Sequence, residues 1–170
     1  MMLLLRIIKV VLKGLKAPRL KPLDESRISM RVWPNDLDLN LHMNNGRYLS
    51  IMDLGRVDLM ARTGILRLMV KNRWRPMVGS AFIRFRRGLR PFSRYDLVTR
   101  ILCWDEKWFF MEQRFEQGGE VCASAYVKGL FVGPRDKVGT AELAQAVGHQ
   151  DGSPPMPETI RAWREWEYSG

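Results

Sequence analysis

The order of elements in the sequence predicts an α+β domain: one strand, one long helix, then four strands that pair antiparallel. Three observations carry this expectation. Ile28, Met30 and Val32 alternate with Arg27, Ser29 and Arg31, the period of a half-buried strand. Tyr48, Met52, Gly55 and Leu59 follow at helical spacing, flanked by Leu49 and Met60, which marks a long and largely buried helix. Four extended stretches rich in aromatic and β-branched residues come next without an intervening helix, whereas a parallel α/β fold would alternate the two throughout.

The elements can be justified in chain order. Residues 1–25 read as a basic amphipathic helix and a linker. Wound as a helix, Arg6, Lys9, Lys13 and Lys16 share one face, and Leu3, Leu4, Ile7, Ile8, Val11, Leu12 and Leu15 fill the other. The longest uncharged run before Arg6 is far shorter than the roughly 20 apolar residues that span a bilayer, and interleaved charges are not those of a signal peptide. Such a helix either packs on its own domain or a second subunit, or lies on an anionic membrane surface through residues 1–17. Gly14, Pro18 and Pro22 end the segment.

Pro34 and Asn35 close the first strand, and Asn44 or Asn45 is placed to cap the helix that runs to about Arg62. Gly55 on the buried ridge implies a close approach by another backbone, and Arg56 inside the apolar arc demands a carboxylate or carbonyl partner. A short helix or turn is expected from Gly64 to about Lys71. The four strands are expected at Met77–Arg87, Asp96–Glu106, Trp108–Gln117 and Glu120–Val132, with a tight hairpin at Gln117-Gly118-Gly119. A short helix at Ala141–Val147, a Gly/Pro-rich loop and a closing helix from Glu158 to about Glu167 complete the chain.

Length and composition bound the function. The 170 residues fit one domain, and 46% hydrophobic with 27% charged residues is ordinary for a globular chain. A net charge of +10 favours anionic partners: nucleic acid, acidic lipid or a phosphorylated cofactor such as coenzyme A. Two distant cysteines, Cys103 and Cys122, form no disulfide framework or zinc motif and suggest a reducing, cytoplasmic setting, with a peripheral position on the inner membrane surface as the variant that the N-terminal helix raises. Both lie in strand patterns and read as buried structural residues. His149, in the Gly/Pro-rich loop, reads as solvated, which leaves too few histidines for a metal site.

The chemistry concentrates in Asn35-Asp36-Leu37-Asp38-Leu39-Asn40-Leu41-His42-Met43-Asn44-Asn45-Gly46-Arg47-Tyr48-Leu49. Two carboxylates, several amides and an imidazole stand between a strand end and a helix start. A polar helix-capping turn would use the same residue types. The free amides and positive end of the helix also make a site for a developing oxyanion, and carboxylate, amide, imidazole and helix start together suit ester or thioester hydrolysis.

The run DLDLNLHMNNGRYL closely resembles the motif of plant acyl-ACP thioesterases and of hotdog-fold acyl-CoA thioesterases of the 4-hydroxybenzoyl-CoA thioesterase type. With the N-terminal apolar segment, the chain also resembles the thioesterase superfamily member 6 group. The resemblance covers about Ser26 to Val132 and implies the hotdog fold, an antiparallel sheet of about five strands wrapped around the long helix. Residues 26–132 would then be the thioesterase domain, and 133–170 a helical extension. It further implies hydrolysis of acyl-CoA or acyl-carrier-protein thioesters with no cofactor beyond the coenzyme A of the substrate, and a homodimer or dimer of dimers with its site between subunits. Carried over by position, Asp38 matches the nucleophile or base. Asn40 and His42 match the groups that orient the reactants. Asn45 matches the residue whose backbone N–H polarises the carbonyl. No second carboxylate follows at the expected place, since Asp96 is the only acid between Thr63 and Arg100.

Arg84, Arg86, Arg87, Arg90 and Arg94 form a basic run, either a solvated face or a clamp in which Arg86, Arg87 and Arg90 hold the phosphates of coenzyme A or phosphopantetheine. Trp74, Trp104, Trp108 and Phe109 would shape an acyl pocket or simply fill the core. Two other functions stand beside hydrolysis. A hotdog hydratase would space its histidine three residues after the asparagine with a proline between, which His42 and Asn40 do not. A noncatalytic acyl-binding or membrane-associated scaffold would have no need of Asp38. Nucleic-acid binding lacks any motif to support it.

Overall fold

The computed structural model describes residues 3–169. Helix α1 (Leu3–Lys16) precedes strand β1 (Ser26–Arg31), a 3-10 turn at Pro34–Asp36, the long helix α2 (Asn45–Thr63) and the short helix α3 (Ile65–Asn72). Strands β2 (Arg75–Phe85), β3 (Arg94–Trp104), β4 (Phe109–Gln117), β5 (Glu120–Val132) and β6 (Lys137–Val138) follow, then helices α4 (Thr140–Ala146) and α5 (Glu158–Tyr168). The main sheet runs in the order β1-β3-β4-β5-β2, all antiparallel, with β6 added to β5.

Alternation along the strands divides the sheet into an inner and an outer face. Tyr95, Leu97 and Phe115 point inward and pack with Tyr48, Ile51, Met52 and Leu54 of α2 in the main core. The sheet thus curls around α2 as expected of the hotdog fold. On the outer face Arg27, Arg100 and Arg114 interleave with Glu25, Asp96, Glu112 and Glu116 in a chain of ion pairs. Further along that face α5 covers the sheet, where Ile160 and Trp163 meet Cys103, Phe110 and Tyr126. Between β4 and β5 the hairpin turns on Gly118 and Gly119, whose φ values of 60° and 85° are the left-handed conformation that such a tight turn requires.

Gly55 marks a close approach, but not of a backbone. A Cβ there would lie 2.3 Å from Thr99 Oγ1 and 2.9 Å from both Gln113 Nε2 and Leu97 Cδ2, so the crowding comes from side chains of β3 and β4. Gln113 donates to the Met52 carbonyl at 2.9 Å and to Thr99 Oγ1 at 2.9 Å, and accepts from Arg56 at 2.7 Å. Arg56 is also paired with Asp53, one turn away. Burial depresses the Arg56 guanidinium below its ordinary value, and the Asp53 carboxylate opposes that effect.

Helix α1 corrects the amphipathic expectation. Arg6 does not join the lysines in solvent. It is 1% exposed and turned into the protein, where Leu3, Ile7 and Val10 pack on the main core and Gly14 lies against Ala61 and Asp58 of α2. Leu4, Ile8, Leu12 and Leu15, expected to be covered, face outward with Leu5 at 47% to 62% exposure. A buried carboxylate draws Arg6 inward, since an ion pair compensates part of the cost of burying its charge.

Smaller differences have local reasons. Strands β2 and β3 each begin two residues earlier than expected, because Arg75 and Arg94 are held by cross-strand pairing with Val132 and Arg31. Strand β6 is too short to show a period. His149 is half-buried rather than solvated: its ring lies edge-on to Trp104 at 5.2 Å and its Nε2 meets the Gly152 carbonyl at 2.7 Å.

Candidate active site

The turn before α2 is built by backbone hydrogen bonds. Leu37 bridges Met43 in antiparallel fashion, and the Asp38 N–H donates to the His42 carbonyl at 2.8 Å. Leu41 sits at the tip with φ 56°, a left-handed conformation costly for a leucine. Asp38 holds the turn closed: its Oδ1 accepts from the Asn40 N–H at 2.8 Å and from the His42 N–H at 3.2 Å. One carboxylate therefore fixes the backbone of both other side chains that the motif singled out. Asp38 and His42 are half-buried, while Asn40 projects into solvent.

Asn44, not Asn45, caps α2. Its side chain accepts from the Gly46 N–H at 2.9 Å, which places Asn45 as the first residue of the helix, where backbone N–H groups lack intrahelical acceptors. The Asn44 N–H donates to the Asp36 carbonyl at 2.8 Å, so the helix start is tied to the residue that opens the turn.

Asp36 was legible as one of two carboxylates, but its role was not. It is fully buried. Its Oδ2 accepts from Arg6 Nη2 at 2.7 Å and from the Trp33 N–H at 3.0 Å, and its Oδ1 accepts from Arg47 Nη2 at 3.0 Å and Nε at 3.2 Å. Burial pushes this carboxyl upward, but the Arg6, Trp33 and Arg47 donors outweigh it and hold Asp36 below the usual aspartate value. Asp36 is thus the structural carboxylate that anchors three elements, and Asp38 is the accessible one.

The arginine run lies beside this turn. The loop after β2 carries Arg86, Arg87 and Arg90, and the Leu89 carbonyl within it accepts from the Met43 N–H at 2.9 Å. Gly88 is pressed against His42: a Cβ would lie 2.6 Å from His42 Cδ2 and 2.9 Å from Cγ. The N–H groups of Arg86 and Arg87 both donate to the Cys122 carbonyl, at 2.9 and 3.0 Å, which pins the loop to β5. Arg86 and Arg90 are exposed, and Arg87 is paired with Glu120 at 3.2 Å. Sequence distance concealed the contact between Gly88 and His42, although a glycine within the arginine run, between Arg87 and Arg90, was its one available signal.

Neither cysteine belongs to the site. Burial raises the Cys103 thiol to about 11, and also raises Cys122. Among the described residues no group of three or more His, Cys, Asp and Glu side chains is placed to hold a metal ion. An apolar cavity of about 310 Å³ lies between the second half of α2 and the sheet, lined by Met60, Ile65, Met77, Ile101, Phe109 and Leu143 among others. Of the four aromatic residues weighed for an acyl pocket, only Phe109 lines it. Trp104 fills a core with Phe109, against which Trp74 packs, and Trp108 lies with the outer cluster.

Known proteins bear on this geometry. The chain is 34% identical over 164 residues to Protein THEM6 of Xenopus laevis, covering 94% of this chain and 77% of the frog protein. It is 31% identical over 119 residues to the probable thioesterase YBR096W of Saccharomyces cerevisiae, covering 68% of this chain and about half, 51%, of the yeast protein. Its fold matches the crystal structure of the probable thioesterase YbaW from Escherichia coli with a TM-score of 0.65 at 18% identity, over 71% of this chain and 94% of that one. The family profile of the thioesterase-like superfamily matches residues 32–164, a span that contains the turn, the helix start and the arginine loop. The chain therefore belongs to the thioesterase-like superfamily and has the hotdog architecture.

Proposed function

We propose that the protein hydrolyses acyl-CoA thioesters at the Asp38 turn. The observation that carries this reading is the Asp38 carboxylate, closed on the Asn40 and His42 amides in the turn that leads into α2. Asp38 either attacks the thioester carbonyl itself, breaking the C–S bond to leave a mixed anhydride that water then hydrolyses to the free acid and the Asp38 carboxylate, with a proton from that water passing to the thiolate, or takes a proton from water as the water oxygen attacks. In the water route the new C–O bond forms a tetrahedral oxyanion, which the Asn45 N–H and the positive end of α2 stabilise. The C–S bond then breaks, and the coenzyme A sulfur leaves with the proton that Asp38 had accepted. Asn40 and His42 orient the water and the thioester.

Arg86 and Arg90, exposed in the loop beside His42, would hold the phosphates of coenzyme A, with Arg87 joining them by giving up Glu120. The apolar cavity beneath α2 would receive the acyl chain. A homodimer completes this reading. Edge strand β2 exposes Met77, Val78, Phe82 and Phe85, and the tip of the turn exposes Leu39 and Leu41, a pattern that suits burial against a second copy. The test is a thiol-release assay across acyl-CoA thioesters of graded length. Saturable release is expected, and binding without release across the whole series would instead assign a noncatalytic acyl-CoA-binding role.

A further inference from the structure

A second charged site lies away from the Asp38 turn, between α1 and β1. This groove, about 590 Å³, is lined by Arg6, Lys9 and Lys13 of α1, Arg27 and Arg31 of β1, Arg62 and Arg94, with Asp58 as its one acid. Some of these cations are compensated: Arg6 by Asp36, Arg27 by Asp96 and Glu116, and Arg62 by Asp58. Lys9, Lys13, Arg31 and Arg94 meet no carboxylate among the described residues. Arg31 and Arg94 are directly opposite each other in the β1–β3 register, an arrangement of like charges that costs stability unless an anion lies between them. At the floor of the groove, Arg6 Nε and Nη1 are buried without an acceptor among the described residues.

The groove borders an apolar surface. Lys9, Lys13 and Ala17 line both it and a shallow surface groove formed with Leu5, Ile8, Leu12 and Lys16. Around α1 the order is therefore basic groove, lysine ridge, exposed leucine and isoleucine stripe. That is the profile of a helix lying in a lipid interface, with its apolar side chains below the headgroups and its cations at their level. A second copy of the chain fits poorly, because a twofold contact through this helix would bring the lysine ridges of both copies together. No helix among the described residues is long and apolar enough to cross a membrane, so the contact is with one surface.

We propose that α1 seats the protein on an anionic phospholipid bilayer, with Leu5, Ile8 and Leu12 in the apolar layer and a headgroup phosphate in the groove between Lys9, Lys13, Arg31 and Arg94. None of these residues belongs to the Asp38 turn, and the proposal does not depend on which thioester is cleaved.

The full chain should be floated with vesicles of phosphatidylcholine alone and of phosphatidylcholine with a quarter phosphatidylglycerol, at low and high salt. Binding is expected only to the anionic vesicles, falling at least 10-fold at high salt. The pair Arg31→Gln/Arg94→Gln and the pair Ile8→Ser/Leu12→Ser should each weaken it by about 10-fold or more, with hydrolysis of a soluble acyl-CoA unchanged and the thermal unfolding temperature no lower than wild type, the arginine pair raising it slightly as the like-charge repulsion is removed. Because all four side chains are at the surface, folding should survive, and the unfolding curve checks it. Wild-type binding by either pair, or equal binding to both vesicle types, overturns the proposal. So does stabilisation by inorganic phosphate without vesicle binding, which would make the groove a site for free phosphate.

Discussion

The guanidinium of Arg6, on the first helix, meets the carboxylate of Asp36 at 2.7 Å, with the two side chains 1% and 0% exposed. Through Asp36 this contact reaches the Trp33 N–H, Arg47 in the first turn of α2, and the backbone N–H of Asn44, the residue whose side chain caps that helix. The N-terminal helix therefore supports the floor on which the Asp38 turn stands.

Removing one partner of this buried pair leaves the other charge short of a donor. Arg6→Leu should cost about 3 kcal/mol in urea unfolding, near the low end for such pairs because Arg47 and the Trp33 amide still hold Asp36. The loss should depend on pH. Asp36 is held below its ordinary value in the folded protein, so its contribution is fully present above the unfolded range near about pH 4 and is lost as pH falls through the lower folded value. The stability gap between wild type and Arg6→Leu should narrow in that acid window and stay constant above it. A gap that is flat down to the acid unfolding limit would mean that Arg6 contributes packing alone.

Gly88 offers a way to move His42 without replacing it. An alanine there would bring its Cβ within 2.6 Å of the His42 ring, which must swing aside. Gly88→Ala is expected to lower kcat about 10-fold while thermal unfolding changes little, since small misplacements of reacting groups carry large kinetic costs. In a His42→Ala background the same change should have almost no further effect. An equal loss in both backgrounds would place the effect in the loop rather than in the imidazole.

If Arg86 and Arg90 hold cofactor phosphates, their removal should be felt by one substrate and not another. Arg86→Ala/Arg90→Ala is expected to raise KM for acyl-CoA by about 10-fold or more, the order of a lost charge-assisted hydrogen bond, and to leave an acyl-pantetheine without the nucleotide unaffected. Arg87→Ala should do less, because Glu120 already engages Arg87 at 3.2 Å. An equal rise for both substrates would assign these arginines to the loop's structure.

Much of this was legible from the sequence because it rests on local periodicity. The period-two run from Arg27 to Val32, the helical ridge of Tyr48, Met52, Gly55 and Leu59, and the paired glycines of the hairpin each encode their own conformation. The motif from Asp38 to Asn45 was equally visible, since its hydrogen bonds close within four residues. What stayed hidden depends on contacts between distant residues. Arg6 reads as one more surface cation beside Lys9, Lys13 and Lys16, but Asp36, thirty residues on, draws it inward. Asp53, one turn back on the same helix, is a partner of Arg56 that helical spacing offers, but its other partner is Gln113 on β4, 57 residues away, which nothing in the helix pattern could name. A helical wheel likewise shows that α1 has two faces, but packing on α2 decides which of them is buried, and the leucine stripe proved to be the uncovered one.

The central claim is that Asp38 does the chemistry while Asp36 holds the fold. The most direct test is kcat for acyl-CoA hydrolysis by Asp38→Asn, with thermal unfolding measured on the same preparation. Asparagine keeps the shape, and its side-chain oxygen still accepts from the Asn40 and His42 amides, so the turn should persist while the carboxylate is lost. We expect kcat to fall by about 10²-fold or more, with acyl-CoA affinity and unfolding temperature near wild type. A folded Asp38→Asn protein that hydrolyses acyl-CoA at the wild-type rate would contradict the account.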